Sequence, residues 1–239
     1  PEEIFRWSDE NKTPPKTSAP SMTEAMEVMK PFLDEGREII CFSISDSMST
    51  SGNVMRLAAE ELEASDKVTV INSANLSTGI GLQVIQAAIL SAEGKTRAQI
   101  TAAIEEIRPR VRASFTVDTL TYLYRGGRCN AVAALAGTML KLHPRIVVED
   151  GAMNASKKYL GRLSSVIRSY TKAMEDDLKN AVPDRVFITH SGCDREIVES
   201  VRSYLESLGI FNEILETRAG GVVSSHCGPG TLGVLFIEK

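Results

Sequence analysis

The sequence has 239 residues, with 27 Lys plus Arg against 31 Asp plus Glu, so its formal net charge is -4. The chain therefore has no excess of basic residues, which proteins that bind phosphate backbones usually have, and a nucleic acid is not an expected partner. No run of about 18 apolar residues occurs, and we therefore expect no stable membrane insertion. Hydrophobic residues make up 43% of the chain, a composition typical of a globular protein with a sizeable core.

The first half of the chain predicts alternating helices and strands. A capping box, Ser21 with Glu24 three residues later, opens a helix, and Thr96 with Gln99 opens another. Short apolar runs at 38–45 and 67–72 predict buried strands, and helices are predicted at 55–63 and 76–92. Such alternation indicates a doubly wound, mostly parallel sheet with helices on both faces.

The second half predicts a different arrangement. Strands are predicted at 114–118, 185–190, 212–217 and 233–237, and helices at 131–142, 163–178 and 194–208. Asp150-Gly151 indicates the turn of a hairpin at 145–153. A hairpin among helix–strand units predicts a mixed sheet. We therefore predict two α/β domains, residues 1–113 and residues 114–239.

The first predicted element is a helix, whereas a doubly wound domain normally begins with a strand. At about 30 residues per strand–helix unit, we expect that on the order of 40 to 60 residues of a first unit have been removed or lost. The chain begins Pro1-Glu2-Glu3, with neither a basic nor an apolar leader. Together with cysteines that form no CxxC pair, this favours a cytoplasmic protein with reduced thiols.

Residues 43–52 form the densest polar cluster, between a predicted strand and a predicted helix. Loops at the carboxyl ends of parallel strands are where such folds bind ligands. Hydroxyl and backbone N–H groups at a helix N-terminus can bind an anion without a full positive charge, although ordinary helix capping explains the same composition. The cluster contains neither GxxxxGK[ST] nor GxSxG, so it predicts neither a nucleotide site nor an esterase elbow.

Three further segments carry polar residues in special settings. Residues 17–21 form a second hydroxyl cluster before a helix, residues 226–230 predict an irregular loop that holds His226 beside Gly-Pro-Gly, and Gly126-Gly127-Arg128 predicts a sharp turn. A hydrolase could be drawn from Ser49 or Cys227 with His226, but adjacent positions rarely face each other productively. Three scattered histidines and no HExxH motif predict no metal site.

Taken in order, these motifs resemble the DegV family of bacterial fatty-acid-binding proteins. The matching segments are TSAPS from Thr17, SISDSMS from Ser43, VINS from Val70, FTVDTLTYLYRGGR from Phe115, His143-Pro144, Asp150-Gly151, Arg162 and HCGPG from His226. They cover nearly the whole chain. The family usually has Ser-Gly-Thr-Tyr where this chain has Ser49-Thr50-Ser51-Gly52, and a Thr in a glycine position would change how closely the backbone approaches a bound head group.

The resemblance implies a lipid-binding carrier of phospholipid metabolism rather than an enzyme. It implies a long-chain fatty acid in a buried apolar tunnel, with the carboxylate at the domain interface, presented to a separate dihydroxyacetone-kinase-like subunit that makes an acyl phosphate from ATP. It assigns the carboxylate to Thr17, Ser18, Ser49 and His226, and it places Arg128 and Arg162 near the tunnel mouth or the partner surface. It implies no catalytic residue, metal or cofactor.

Two other functions stay open from the residues themselves. One is a stand-alone acyl hydrolase with Ser49 or Cys227 as its nucleophile. The other is a regulatory module that senses a small anion at the Ser-rich loop. The apolar helix predicted at 76–92 fits a tunnel wall, and it fits ordinary core packing equally well.

Overall fold

The computed structural model of the chain describes residues 1–127 and 142–239. Its helices are α1 (Glu2–Asn11), α2 (Met22–Asp34), α3 (Ser51–Glu61), α4 (Thr78–Ala92), α5 (Arg97–Ile107), α6 (Thr121–Gly126), α7 (Leu163–Lys172), α8 (Glu175–Lys179), α9 (Arg195–Leu208) and α10 (Gly221–Cys227). Its strands are β1 (Ile39–Ser43), β2 (Val68–Asn72), β3 (Val111–Thr116), β4 (Leu142–Glu149), β5 (Ala152–Leu160), β6 (Arg185–Ser191), β7 (Glu213–Arg218) and β8 (Thr231–Ile237). The predicted α/β class is confirmed.

By their contacts, the residues form two units. The parallel unit consists of Thr17–Arg110 and Asp150–Ala152, and the mixed-sheet unit consists of Pro1–Lys16, Val111–Glu149 and Met153–Lys239. The boundary predicted at residue 113 lies close to residues 110–111, where the chain leaves the parallel unit and enters the mixed-sheet unit. Residues 1–16, in contrast, were assigned to the first domain from the sequence and have their contacts in the mixed-sheet unit.

The parallel unit has helices on both faces of a two-stranded sheet. Strands β1 and β2 are parallel, with Ile39 opposite Val68 and Ser43 opposite Asn72. Because side chains alternate along a strand, Ile39 and Cys41 pack with α2 and α3, whereas Ile40 and Phe42 pack with α4 and α5. Both faces are therefore apolar, as the uninterrupted hydrophobic runs predicted.

Two helices of this unit begin at the capping boxes that the sequence predicts. At α2, the Ser21 side chain accepts a bond from the Glu24 N–H while the Glu24 carboxylate accepts from the Ser21 N–H. Thr96 and Gln99 make the same reciprocal pair at α5. Each box satisfies backbone donors that a helix N-terminus otherwise leaves without partners, so both helix starts are determined locally.

The mixed-sheet unit contains a six-stranded sheet in the order β5-β4-β3-β8-β6-β7. Strand β3 is antiparallel to β4 and β8, β8 is antiparallel to β6, and β6 and β7 are parallel. The predicted hairpin is present, and its two-residue turn has φ angles of 50° at Asp150 and 76° at Gly151. Positive φ at both positions is what a type I′ hairpin turn requires.

One face of this sheet packs against α7, α8 and α9. The helix predicted as one element at 163–178 is two helices, α7 and α8, with Met174 fully buried between them. The Tyr170 hydroxyl, fully buried, donates to the Ser114 carbonyl at 2.7 Å and accepts from the Val234 N–H at 3.1 Å. It therefore bridges the backbones of β3 and β8. The predicted helix at 131–142 falls on residues outside the described ranges, apart from Leu142 in β4.

Contacts of α1 explain why the first residues belong to this unit. The Phe5 ring meets the Tyr122 ring edge to face, with 6.0 Å between centroids, and the Tyr122 hydroxyl donates to Asp9 at 2.9 Å. Burial, aided by the bond to Asp9, raises the pKa of Tyr122 to about 12. Such contacts join residues more than a hundred positions apart, and no local pattern in the sequence encodes them.

Among the helices of residues 1–127 and 142–239, none combines the length and apolar character needed to cross a membrane.

The mixed-sheet unit is expected to lose stability on acidification through His190. Burial lowers the pKa of His190. The negative charge of Glu216, 3.6 Å from the His190 Nε2, raises that pKa, but the effect of burial is larger. The folded state therefore binds fewer protons than the unfolded state, so the free energy of unfolding falls as pH decreases through the usual histidine value of about 6.5. Urea unfolding at pH 7.5 and 5.5 should show a smaller loss for His190→Gln than for the parent chain. Equal losses in the two proteins would contradict this assignment.

Candidate functional site

The Ser-rich loop follows β1 and leads into α3 in the parallel unit. Ser43, at the end of β1, and Ser45 are both buried. The Ser45 N–H donates to the Asn75 carbonyl at 2.9 Å, and the Ser45 carbonyl accepts from the Met48 N–H at 2.9 Å. The chain therefore turns tightly after the strand, with the loop anchored to the segment that follows β2.

Ser49 lies two residues before α3, and its hydroxyl contacts the first residue of the helix. Its Oγ accepts from the Ser51 N–H at 3.2 Å and lies 2.8 Å from the Ser51 Oγ. Whichever hydroxyl donates in this pair, the other retains its hydrogen and can donate it to a further acceptor. The resemblance singled out Ser49, and the structure adds Ser51 as its direct partner.

The segment after β2 forms the second loop of the cluster. The Asn72 side chain accepts from the Ala74 N–H at 3.0 Å and from the Asp46 N–H at 3.3 Å, so one amide oxygen joins the two loops. Ala74 and Ser77 both have φ of 49°, a left-handed conformation that non-glycine residues rarely adopt. Strained backbone of this kind often occurs at functional sites.

Gln83, on α4, is a buried residue of this cluster that the sequence analysis did not identify. Its side-chain N–H groups donate to the Ser73 carbonyl at 3.0 Å and the Gly79 carbonyl at 3.3 Å. Two carbonyl acceptors determine the amide orientation and tie α4 to the second loop. The otherwise apolar helical run contains two amides, Gln83 and Gln86, and the sequence does not indicate which of them is buried and needs such partners.

The turn of the β4–β5 hairpin completes the cluster, and its residues group with the parallel unit. The Ser47 hydroxyl donates to the Gly151 carbonyl. A Cβ at Gly151 would lie 2.6 Å from the Ser45 Oγ, so both its positive φ and the close approach require glycine there. Asp150-Gly151, identified from the sequence as a turn, therefore also contacts the Ser-rich loop.

Thr17 and Ser18 lie in the extended segment before α2, also in the parallel unit. Thr17 is half-buried and Ser18 is exposed. The structure thus places three of the four residues assigned to the carboxylate in one unit.

His226 lies in the mixed-sheet unit, in the last turn of α10. The prediction of an irregular loop over 226–230 was wrong for its first two residues. The segment before it is rich in Gly and Val, which are weak helix formers, so packing against α6 determines the helix. A Cβ at Gly126 would lie 2.4 Å from the His226 Nδ1, so the close packing of α6 and α10 depends on glycine at that position.

The remaining predicted site residues are two arginines and one cysteine. Arg162 is exposed at the N-cap of α7 and makes no side-chain capping bond there. Arg128 lies outside the described residues. Cys227 is buried at the end of α10, one helical position after His226, and neighbouring helical positions do not face each other.

The chemistry of the Ser-rich cluster is that of neutral hydrogen bonding. Its contacts join hydroxyls, amides and backbone groups, and the charged pair beside it, Asp46 with Arg56 at 3.2 Å, is largely exposed. Neutral donors can hold a carboxylate without a second buried charge and its desolvation cost. In the part of the chain that the structure describes, no group of three or more His, Cys, Asp or Glu side chains could hold a metal ion.

Comparison with known proteins gives a consistent family assignment. The family model described as "Uncharacterised protein, DegV family" matches residues 1–239. A DegV domain-containing protein of Deinococcus radiodurans is 32% identical over 229 residues, which cover 93% of this chain and 78% of that protein.

Two solved structures are similar throughout the chain. A fatty-acid-binding DegV family protein from Thermus thermophilus matches with a TM-score of 0.90 and 30% identity, over 100% of this chain and 84% of that one. A stearic-acid-binding protein from Eubacterium ventriosum matches with a TM-score of 0.80 and 25% identity, over 100% of this chain and 83% of that one.

Proposed function

This chain belongs to the DegV family, and from that premise we propose that it binds a long-chain fatty acid. The observation that carries the proposal is the full-length likeness to the fatty-acid-binding protein of Thermus thermophilus, at 30% identity and a TM-score of 0.90. The stearic-acid-binding protein from Eubacterium ventriosum supports the same ligand class. Long-chain acids share a small carboxylate and a large apolar tail, so two kinds of surface are needed.

For the carboxylate, the proposal assigns Ser49, Thr17 and Ser18 of the parallel unit and His226 of the mixed-sheet unit. The support for Ser49 is its place at the N-terminus of α3 and its hydroxyl pair with Ser51. A helix N-terminus and a hydroxyl donor both favour a carboxylate. The assignments of Thr17, Ser18 and His226 rest on the sequence resemblance. Each of them is tested separately by substitution of that residue. Arg128 and Arg162 are proposed for the tunnel mouth or the partner surface.

For the acyl tail, the proposal assigns α4 as a wall of the apolar tunnel. Its sequence, TGIGLQVIQAAILSA, contains no charged residue, and Leu82 is fully buried. At about 0.8 kcal/mol for each buried methylene, a tail of about fifteen methylenes would contribute roughly 12 kcal/mol before the costs of binding are subtracted. The tail would therefore dominate affinity, and the carboxylate contacts would set its orientation.

The finer part of the proposal is that this chain is a carrier in the cytoplasm. It would present the acid to a separate dihydroxyacetone-kinase-like subunit, which transfers the terminal phosphoryl group of ATP to the carboxylate and leaves ADP. The absence of GxxxxGK[ST] from the sequence supports this division of labour, since a carrier needs no phosphate loop of its own. Under this proposal the chain has no catalytic residue and no cofactor.

Native mass spectrometry of the purified chain, followed by organic extraction, tests the proposal. We expect one long-chain fatty acid per chain, or stoichiometric uptake of added oleate or palmitate. A chain that neither retains nor binds these acids contradicts it. Turnover of an acyl ester, abolished by Ser49→Ala or Cys227→Ala, would instead support a hydrolase. Preference for acetate or phosphate, lost in Ser49→Ala, would support an anion sensor at the Ser-rich loop.

A further inference from the structure

A second group of polar residues lies in the mixed-sheet unit, outside the site proposed for the fatty acid. Within residues 1–127 and 142–239, the Thr116 Oγ1, the Arg145 Nε and the Tyr159 hydroxyl are buried atoms without a hydrogen-bond partner. Buried polar side chains in native proteins are nearly always hydrogen-bonded, so such atoms point to a bound water, ion or ligand. We call these three residues the Arg145 cluster.

The strand register brings two members of the Arg145 cluster together. Thr116 of β3 is paired with Arg145 of β4, so the two side chains leave the same face of the sheet from directly opposed positions. Tyr159 lies on β5, the neighbour of β4 in the sheet. Burial raises the pKa of Tyr159 and the charge of Arg145 opposes that rise, so the guanidinium is within electrostatic reach of this phenol.

The cluster is buried on one side and reachable on the other. Thr116 is 0% exposed and Tyr159 is 9% exposed, whereas the Arg145 side chain retains 20% of its exposure. Solvent therefore reaches part of the guanidinium, whereas its Nε and the two hydroxyls have almost no exposed surface.

The donors of the cluster and the local charge favour an anion as the occupant. A guanidinium offers only N–H donors, so whatever satisfies the Arg145 Nε must accept a hydrogen bond. Lys157 adds a second positive charge, with its Nζ 5.4 Å from the centroid of the Tyr159 ring. Arg145 forms an ion pair with Asp177, whose carboxylate lies 3.7 Å from the Arg145 NH2 group and whose side chain is 55% exposed. This carboxylate pairs with a terminal nitrogen of the guanidinium, and the Arg145 Nε still has no acceptor.

We propose that Thr116, Arg145 and Tyr159 bind a small oxyanion of the phosphate or carboxylate class. The guanidinium donates from a planar fork that matches such oxygens, and the two hydroxyls add donors of the same kind. The site is independent of the proposed fatty-acid function, because its residues are not among those assigned to the lipid.

The full chain labelled with 15N-arginine tests the proposal directly. Inorganic phosphate, sulfate and acetate are titrated at constant ionic strength against chloride, and the arginine Nε–H signals are followed by NMR. We expect one such signal to shift saturably with an oxyanion and to be missing from Arg145→Gln. Arg168→Gln, which removes an exposed arginine of α7, is the matched control and should leave the titration unchanged.

A second variant keeps the proposal testable if Arg145→Gln does not fold. Tyr159→Phe removes one hydroxyl and should weaken oxyanion binding at least about tenfold, because a hydrogen bond to a charged group is lost. The absence of a saturable shift with all three oxyanions overturns the proposal, as does unchanged binding in Tyr159→Phe. A crystal grown in phosphate that holds only waters at these atoms overturns it as well. None of these outcomes bears on fatty-acid uptake, which is measured separately.

Discussion

Replacing Ser49 by alanine is expected to lower the affinity for oleate or palmitate by roughly tenfold to a hundredfold. A hydrogen bond to a charged group contributes about 1.5–3 kcal/mol, and the variant loses one such donor at the proposed carboxylate position. It also loses the acceptor for the Ser51 N–H, so the start of α3 is less well ordered around the ligand. Competition titration of the delipidated chain with a fluorescent fatty acid measures the change.

A double variant sharpens this prediction. Ser49→Ala with His226→Ala should bind more weakly than either single variant, and a non-additive cycle would indicate that both residues act on one carboxylate. Ser207→Ala, an exposed serine on α9, is the matched control and should bind like the parent chain. Unchanged affinity in the double variant, with an intact fold, would rule out this assignment of the carboxylate site.

Replacing Tyr170 by phenylalanine is expected to lower the free energy of unfolding by about 2–5 kcal/mol. The lost hydroxyl satisfies the Ser114 carbonyl and the Val234 N–H, which are buried in the centre of the mixed sheet. A buried polar group that loses a hydrogen-bond partner costs about 1–3 kcal/mol, and this change removes one partner from each of two buried backbone groups. The phenol is also fully buried, and its pKa is raised to about 12 chiefly by that burial.

Tyr204→Phe provides the comparison for Tyr170→Phe. The Tyr204 hydroxyl donates to Glu175 at 2.7 Å from a half-buried position, where water can replace the lost bond. We therefore expect a change within about 1 kcal/mol in the same urea titration. A Tyr170→Phe chain as stable as Tyr204→Phe would mean that the β3–β8 bridge contributes little.

Local signals in the sequence predicted much of the fold. The capping boxes at Ser21 and Thr96 and the Asp150-Gly151 turn are each determined by residues within a few positions, so their structures agree with the prediction. The parallel unit follows from two apolar strands separated by helices, a pattern that specifies burial on both faces. In these cases the residues that cause the structure are close together in the sequence, so their pattern is visible there.

Long-range packing explains what the sequence did not reveal. The α1 helix has few apolar residues, and its position depends on Tyr122, a residue far along the chain. Helix α10 forms from weak helix formers because α6 packs against it. In the candidate site, the resemblance indicated Ser49, whereas Ser51 and Gln83 became evident only from hydrogen bonds. The Arg145 cluster could not be inferred from the sequence at all, since atoms without partners are recognised only in three dimensions.

The central position of β8 has a consequence for synthesis on the ribosome. Strand β8 follows every other strand of the mixed sheet in the chain, yet it lies between β3 and β6. Until it emerges, β5-β4-β3 and β6-β7 are two separate pieces with open edges, which attract other unpaired strands. Both segments of the parallel unit, residues 17–110 and 150–152, precede β8 in the chain. The unclosed mixed sheet is therefore the part of the nascent chain that remains exposed longest, and protection by a chaperone would matter most just before β8 is released.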